Sequence, residues 1–244
     1  MDRIALNKTH LQLTAIAAMT LDHIAWALSP GYSAELWAVL FHCAGRIAAP
    51  IMWYFIAEGY DRTGDIKKYG ARLLAFALIS HFAYNFFTGN SFIPFTDSYF
   101  EQTSVIWPLL GGLAGICVVE NEAYRKWQKA AIIALICLLT FCSDWSCVPV
   151  LAIVWIHINK GNFKLQAAGM QALGLVSGIF MFLFMDKLYG CLQLLICLSF
   201  PLLFCYNGRR GAQPFGKYFF YIYYPAHLIV LGIIKYATNI QAYF

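Results

Sequence analysis

Long apolar runs dominate this chain, and short polar stretches separate them. The hydropathy pattern, together with its Gly and Pro breakers, predicts nine helical segments at about residues 9–29, 35–58, 69–88, 104–119, 129–142, 148–158, 165–184, 191–206 and 218–236. Most of these segments approach the roughly 20 apolar residues that a helix needs to cross a bilayer. We therefore predict an all-α polytopic membrane protein of about nine transmembrane helices, forming a single domain over residues 1–244.

Two consecutive segments are too short to span a bilayer in the ordinary way. Segments 129–142 and 148–158 offer 14 and 11 residues, against a usual range of about 17–25. If they do not fully span, their connection lies below the outer surface, where irregular backbone must be surrounded by protein or a water-filled cavity. Asp144 would then line a cavity that opens to the outside. A thinner bilayer is the alternative explanation.

Composition and charge agree with a membrane protein and give it an orientation. Hydrophobic residues make up 61% of the chain and charged residues only 12%, whereas soluble domains carry roughly 25% charged residues. With nine spans and a cytoplasmic N-terminus, 14 of the 17 Lys and Arg residues fall on the inner side. Cytoplasmic loops are enriched in these residues, so we predict that the N-terminus is cytoplasmic and the C-terminus lies outside.

Five ionisable residues interrupt the first two apolar segments, namely Asp22, His23, His42, Arg46 and Glu58. Such groups are costly inside a membrane and usually mark a functional site. Asp22 and His23 are neighbours that point roughly 100° apart on a helix, so each needs its own partner. His42 and Arg46 have i,i+4 spacing and share a face. We expect an Asp22–Arg46 ion pair.

The second segment should bend in its middle and end near residue 58. Pro50 follows Arg46 by four residues, so its ring disturbs the helix at the Arg46 carbonyl. Glu58 precedes Gly59, which is suited to cap a helix C-terminus. A carboxylate there opposes the helix dipole, and Arg62 or Arg72 would have to compensate it.

Two further histidines lie in apolar segments and have two possible roles. His81 shares a helix face with Asn85, and His227 shares one with Tyr223 and Tyr224. Each histidine is either a hydrogen-bonded core residue or a direct participant in chemistry. The histidine spacings match no metal-binding motif, so no metal is predicted.

A basic loop precedes the last segment. Its sequence, Asn-Gly-Arg-Arg-Gly at residues 207–211, is followed by Lys217. Glycines let the backbone approach a ligand, and arginines bind phosphate groups bidentately. The alternative is ordinary positive charge that faces anionic lipid.

These motifs resemble those of the TraX family, whose named member is the F-pilin acetylase, and of multi-spanning membrane acyltransferases more widely. The resemblance consists of five blocks in order: MTLDHI at 19–24, GRIAAPIMWYFIAEG at 45–59, YGARLLAFALIS at 69–80, YNGRRG at 206–211 and FYIYYPAHL at 220–228. It implies transfer of an acyl group, typically acetyl from acetyl-CoA, to an acceptor such as the pilin N-terminal amine. It also implies the bacterial inner membrane as the location.

On this basis His23 is the candidate general base, with Asp22 and Arg46 completing the catalytic group. A covalent acyl-His intermediate is equally open. Arg209, Arg210, Asn207 and Lys217 are the candidates for binding acetyl-CoA or another acyl-CoA, and Glu58, His81, Asp144 and His227 are secondary candidates. The expected partners are the lipid bilayer and an acceptor that is a peptide N-terminus, a sugar or a small molecule. No nucleic acid is expected, and a homo-oligomer is left open.

Two other functions use the same buried charges. A transporter or exporter of a small polar solute would use them as its binding site, although no internal repeat of the kind common in such proteins is evident. A non-catalytic scaffold would use the buried ion pair only to fix the register of its helices.

Overall fold

A computed structural model describes residues 5–93, 96, 102–212 and 218–238 of the chain. In these residues the regular structure is helical, and the only β-type pairings are isolated parallel bridges between Leu6 and Tyr206 and between Thr103 and Ser143. The helices are α1 (Lys8–Leu28), α2 (Leu36–Gly45), α3 (Ala48–Arg62), α4 (Ile66–Thr88), α5 (Ile106–Glu120), α6 (Lys126–Thr140), α7 (Val148–Ile158), α8 (Phe163–Phe184), α9 (Lys187–Leu192), a 3₁₀ segment (Gln193–Ser199), α10 (Phe200–Phe204) and α11 (Phe219–Ala237).

The all-α prediction is confirmed for the described residues, and helices occupy each of the predicted apolar segments. Five helical stretches are long and apolar enough to cross a membrane: Lys8–Leu28, Leu36–Arg62, Phe163–Phe184, Lys187–Phe204 and Phe219–Ala237. Ile106–Glu120 and Val148–Ile158 are shorter apolar helices. These lengths and compositions are those of a membrane protein. The count of nine spans and their orientation stay predictions.

The chain forms two compact units, Met1–Met52 with Phe163–Phe244 and Trp53–Asn162. In the first unit α1 packs against α2 and α11, and α8 packs against α9 and the 3₁₀ segment. In the second unit α5 contacts α4, α6 and α7. Gly112 and Gly115 of α5 allow a close approach, because a Cβ atom at either position would collide with Ile153 or Val154 of α7.

The second predicted segment is interrupted one turn before Pro50. Helix α2 ends at Gly45 and α3 starts at Ala48, so the interruption lies at Arg46 and Ile47. Pro50 has no N–H to donate to the Arg46 carbonyl. Within the interruption, the Ile47 N–H donates to the Ala44 carbonyl, three residues earlier, at 3.1 Å. The predicted disturbance at Arg46 is confirmed, and the bend itself stays a prediction.

The predicted end of this segment at Glu58 is wrong. Helix α3 continues to Arg62, so Gly59 lies inside the helix and is not a cap. Its missing side chain makes room for Tyr69, whose hydroxyl would lie 2.7 Å from a Cβ atom at position 59. The expected compensating cation is present, because Arg62 Nη2 lies 2.9 Å from Glu58 Oε1.

Candidate active site

Helix α1 carries the two candidate catalytic residues next to each other. The helix begins after Asn7, whose side-chain oxygen accepts a hydrogen bond from the His10 N–H at 3.0 Å. Along the helix, buried small residues such as Ala18 and Ala25 let neighbouring helices pack closely. Asp22 and His23 follow in the second half of the helix and diverge from there.

Asp22 points towards α2, where two donors share one of its oxygens. His42 Nδ1 lies 2.9 Å from Asp22 Oδ1, and Arg46 Nη2 lies 3.3 Å from the same atom. The expected Asp22–Arg46 ion pair is therefore confirmed. The Asp22 side chain is 17% exposed, whereas His42 is fully buried and the Arg46 side chain is 9% exposed. The carboxylate thus keeps limited access to its surroundings while both of its partners are enclosed.

The guanidinium of Arg46 has two further acceptors. Arg46 Nη1 donates to Gln193 Oε1 of the 3₁₀ segment, and Arg46 Nε donates to the backbone carbonyl of His42, both at 3.3 Å. Gln193 was missed by the sequence analysis. In the sequence, Gln193 is an amide residue within the apolar run 191–206. Buried polar groups generally need a partner, so this residue could have been expected to bond to another helix.

His23 points towards α11 and bonds to His227. Nδ1 of His23 lies 2.9 Å from Nε2 of His227, and Nδ1 of His227 lies 3.0 Å from the Tyr223 carbonyl. A carbonyl only accepts, so Nδ1 of His227 carries a proton, and in the neutral ring Nε2 is the acceptor. Nδ1 of His23 then carries the shared proton. In a neutral pair this leaves the basic lone pair of His23 on Nε2.

Aromatic contacts fix the position of this histidine pair. Tyr223 stacks on His227 with ring centroids 5.2 Å apart and planes 15° apart. The Tyr223 hydroxyl in turn shares a hydrogen bond of 2.8 Å with Thr20 Oγ1 of α1. Tyr224 contacts His227 edge-on at 5.5 Å. The tautomer of His23 is therefore set by groups that are themselves held in place.

Asp22 and His23 thus have separate partners, towards α2 and α11 respectively, as their spacing predicts. One turn of α1 therefore presents a hydrogen-bonded histidine pair and a charged cluster within one unit of the structure.

Gly45 is the position on α2 that lets Asp22 approach. A Cβ atom there would lie only 2.5 Å from Asp22 Cβ and 2.6 Å from Asp22 Cγ. We expect Gly45→Ala to lower the free energy of unfolding by about 1–3 kcal/mol through overpacking, and to displace Asp22 from its two donors. Thermal unfolding in detergent would measure this change.

Gly70 offers the matched control for this prediction. It also lies in a helix, α4, but a Cβ atom there meets nothing within 4 Å. Gly70→Ala should therefore be neutral or stabilising by up to about 1 kcal/mol, the difference in helix propensity. Equal effects of the two substitutions would contradict the close packing of Gly45 on Asp22.

The loop at residues 205–212 is attached to the start of α1 by its backbone. The Lys8 N–H donates to the Arg209 carbonyl at 2.8 Å, and the Thr9 N–H donates to the Arg210 carbonyl at 3.3 Å. Asn207 Oδ1 accepts from the Arg209 N–H at 2.9 Å. The side chains of Arg209 and Arg210 are exposed. Asn207 thus shapes the loop, and the two arginines project from a fixed backbone.

The comparisons with known proteins cover nearly the whole chain. The family model described as TraX protein matches residues 7–235. The chain belongs to the TraX family. The match includes Asp22 and His23, their partners in the first unit, and the basic loop.

A curated relative extends the comparison. This TraX-family chain is 28% identical over 238 residues to the probable fimbrial assembly protein FimC, serogroup H1, of Dichelobacter nodosus, covering 92% of this chain and 94% of the relative. No solved structure matches. The two proteins are therefore similar over almost their full lengths.

The remaining predicted site residues of this TraX-family protein lie elsewhere. In the second unit, His81 uses both ring nitrogens, with Nδ1 2.9 Å from Thr103 Oγ1 and Nε2 2.9 Å from the Phe92 carbonyl. Asp144 lies in the loop after α6, where its N–H donates to the Thr103 carbonyl at 2.9 Å. Lys217 lies outside the described residues. The roles assigned to all these residues stay predictions.

Proposed function

We propose that this protein is a multi-pass acyltransferase of the bacterial inner membrane that transfers an acetyl group from acetyl-CoA to an amine or hydroxyl acceptor. The observation that carries the proposal is the His23–His227 pair, which leaves a basic nitrogen on a buried histidine beside a charged cluster. The likeness to a protein named for fimbrial assembly favours a pilus subunit as the acceptor. Its N-terminal amine would be the group that is acylated.

In the proposed reaction His23 acts as general base and then as general acid. The acceptor nitrogen or oxygen attacks the thioester carbonyl while its proton passes to Nε2 of His23. The carbon–sulfur bond of the tetrahedral intermediate then breaks, and the departing CoA sulfur takes that proton. His227 accepts the Nδ1–H of His23 throughout, which keeps the ring oriented and supports the transient imidazolium. A covalent acyl-His23 intermediate would use the same Nε2 atom as nucleophile.

Arg46 would stabilise the negative charge that develops on the carbonyl oxygen. A preorganised cation in an enclosed site is effective there, because it needs little rearrangement during the reaction. Each nitrogen of the guanidinium has its own acceptor: Nη2 donates to Asp22, Nη1 to Gln193 and Nε to the His42 carbonyl. Asp22 would therefore contribute by orienting Arg46.

The donor would bind through the arginine side chains of the basic loop. The first N–H groups of α1 are occupied by the carbonyls of Arg209 and Arg210, so the helix N-terminus offers little to a phosphate. The exposed guanidinium groups are the better ligands for CoA phosphates. The charge distribution supports nine spans with this loop on the cytoplasmic side, where acetyl-CoA is available.

We expect the double substitution Arg209→Ala/Arg210→Ala to weaken acetyl-CoA binding by about 100-fold, on the basis of about 1.5–3 kcal/mol for a hydrogen bond to a charged group. The loop should keep its shape, because its bonds to Lys8 and Thr9 come from backbone atoms. Calorimetry on detergent-purified protein would measure the affinity.

The control removes the same charge from another exposed basic pair, through Lys67→Ala/Lys68→Ala at the start of α4. This variant should bind acetyl-CoA with an affinity close to that of the wild type. Equal losses of acetyl-CoA affinity in the two double variants would show that the loop contributes only its general positive charge. Folded wild-type protein that binds no acetyl-CoA but exchanges a solute in proteoliposomes would instead favour the transporter.

A further inference from the structure

His42 is a buried polar residue with an incomplete set of hydrogen bonds. Its ring is fully buried, Nδ1 lies 2.9 Å from Asp22 Oδ1, and Nε2 is buried with no hydrogen-bond partner in the described part of the chain. Burying a polar atom without a partner costs stability. Packing alone would be served better by an apolar side chain of similar size, so the bond to Asp22 is the distinguishing feature of this residue.

Aromatic rings enclose His42. The ring centroid of Trp26 lies 4.8 Å from that of His42, and the ring centroid of Tyr189 lies 5.1 Å from it. Tyr189 is itself fixed, because its hydroxyl donates to the Ser33 carbonyl at 3.1 Å. Contact of a substrate with the buried Nε2 would require these rings to move. His42 therefore acts on its neighbour rather than on a substrate.

The direction of the bond to Asp22 follows from chemistry. The carboxylate, paired with Arg46, only accepts hydrogen bonds, so Nδ1 of His42 is the donor. Arg46 donates to the same oxygen, Oδ1. Two donors on one oxygen define the rotation of the carboxylate about its Cβ–Cγ bond, whereas a single donor at 3.3 Å would leave that rotation loosely defined.

We infer that His42 is a positioning residue, whose Nδ1–H fixes Asp22 and through it the Arg46 guanidinium. This inference deepens the proposed function and rests on it, because it assigns His42 to the orientation of the group that stabilises the oxyanion. The chain of contacts runs from the aromatic enclosure to His42, then to Asp22 and to Arg46.

Three substitutions at position 42 separate the bond from mere packing. In His42→Asn the amide nitrogen is attached to Cγ, as Nδ1 is, and can donate to Asp22. In His42→Gln the amide nitrogen lies one bond further along the side chain, and His42→Leu has no donor. We expect kcat for acetyl transfer to fall by about 100-fold in the Leu and Gln variants, the scale of a small misplacement in an active site. The Asn variant should stay within about tenfold of the wild type, with KM for acetyl-CoA little changed in all three.

A second measurement is independent of activity. Nitrogen-15 NMR of the histidine rings in wild-type protein should show Nδ1 of His42 protonated, and the Nδ1 signal should shift in Asp22→Asn. An unprotonated Nδ1, or equal kcat losses in folded Asn and Leu variants, would overturn the inference. Wild-type protein without any transfer activity would refute the proposed function instead, and the NMR spectrum would still decide whether His42 holds Asp22.

Discussion

Replacing His23 with Asn is expected to lower the rate of acetyl transfer by about 10²–10⁴-fold, the usual contribution of a general base or acid. The substitution removes Nε2, the nitrogen that carries the basic lone pair. It keeps a nitrogen attached to Cγ, which can still donate to Nε2 of His227 as Nδ1 of His23 does at 2.9 Å. The contact between α1 and α11 should therefore persist, and acetyl-CoA should bind with nearly wild-type affinity.

His227, the hydrogen-bond partner of His23, provides a graded control for this result. In His227→Gln the side-chain oxygen lies about where Nε2 of His227 accepts its bond, so His23 keeps an acceptor for Nδ1–H. His227→Gln should lose less of the transfer rate than His23→Asn, because Nε2 of His23, the basic nitrogen, remains. The rates are measured in proteoliposomes as CoA release in the presence of an acceptor. A folded His23→Asn protein with the wild-type rate would remove His23 from the mechanism.

Replacing Asp22 with Leu is expected to have the largest effect on stability, lowering the free energy of unfolding by about 3–5 kcal/mol. The substitution leaves Arg46, whose side chain is only 9% exposed, without its carboxylate partner. The neutral amide of Gln193 and the His42 carbonyl remain but do not neutralise the guanidinium. Equilibrium unfolding in mixed detergent would measure the change.

The double variant Asp22→Leu/Arg46→Leu tests the cause of that loss. It removes both charges, so it should recover part of the stability that Asp22→Leu loses, because exchanging a whole buried ion pair for apolar residues is often nearly neutral. His23→Asn, one position away on α1, should unfold close to the wild type. An Asp22→Leu protein as stable as the wild type would show that Arg46 is satisfied without Asp22.

The sequence predicted well those features that depend on residues close together in the chain. The i,i+4 spacing of His42 and Arg46 placed both on one face, and the structure has both donating to Asp22. Pro50 placed the helix interruption correctly, because the missing N–H acts within one turn. The boundary at Glu58 was wrong, because α3 continues to Arg62. Gly59 leaves room for Tyr69 of the next helix, a contact that the local sequence does not show.

The contacts that sequence reasoning missed join distant parts of the chain. Gln193 is 147 positions from Arg46, and His227 is 204 positions from His23. Hydropathy shows that such residues are in apolar segments, but pairing between helices depends on their packing. The enclosure of His42 by Trp26 and Tyr189 likewise depends on three separate helices. Its role was therefore visible only in the structure.

We propose that this TraX-family protein transfers an acetyl group from acetyl-CoA. The most direct measurement is mass spectrometry of a peptide acceptor with a free N-terminal amine, incubated with isotopically labelled acetyl-CoA and purified protein in proteoliposomes. A second peptide, blocked at its N-terminus and lacking lysine and hydroxyl side chains, serves as the matched control. We expect label on the free amine with wild-type protein, little with His23→Asn and none on the blocked peptide. Label transfer that is equal with wild type and His23→Asn, or absent with every amine and hydroxyl acceptor despite bound acetyl-CoA, would contradict it.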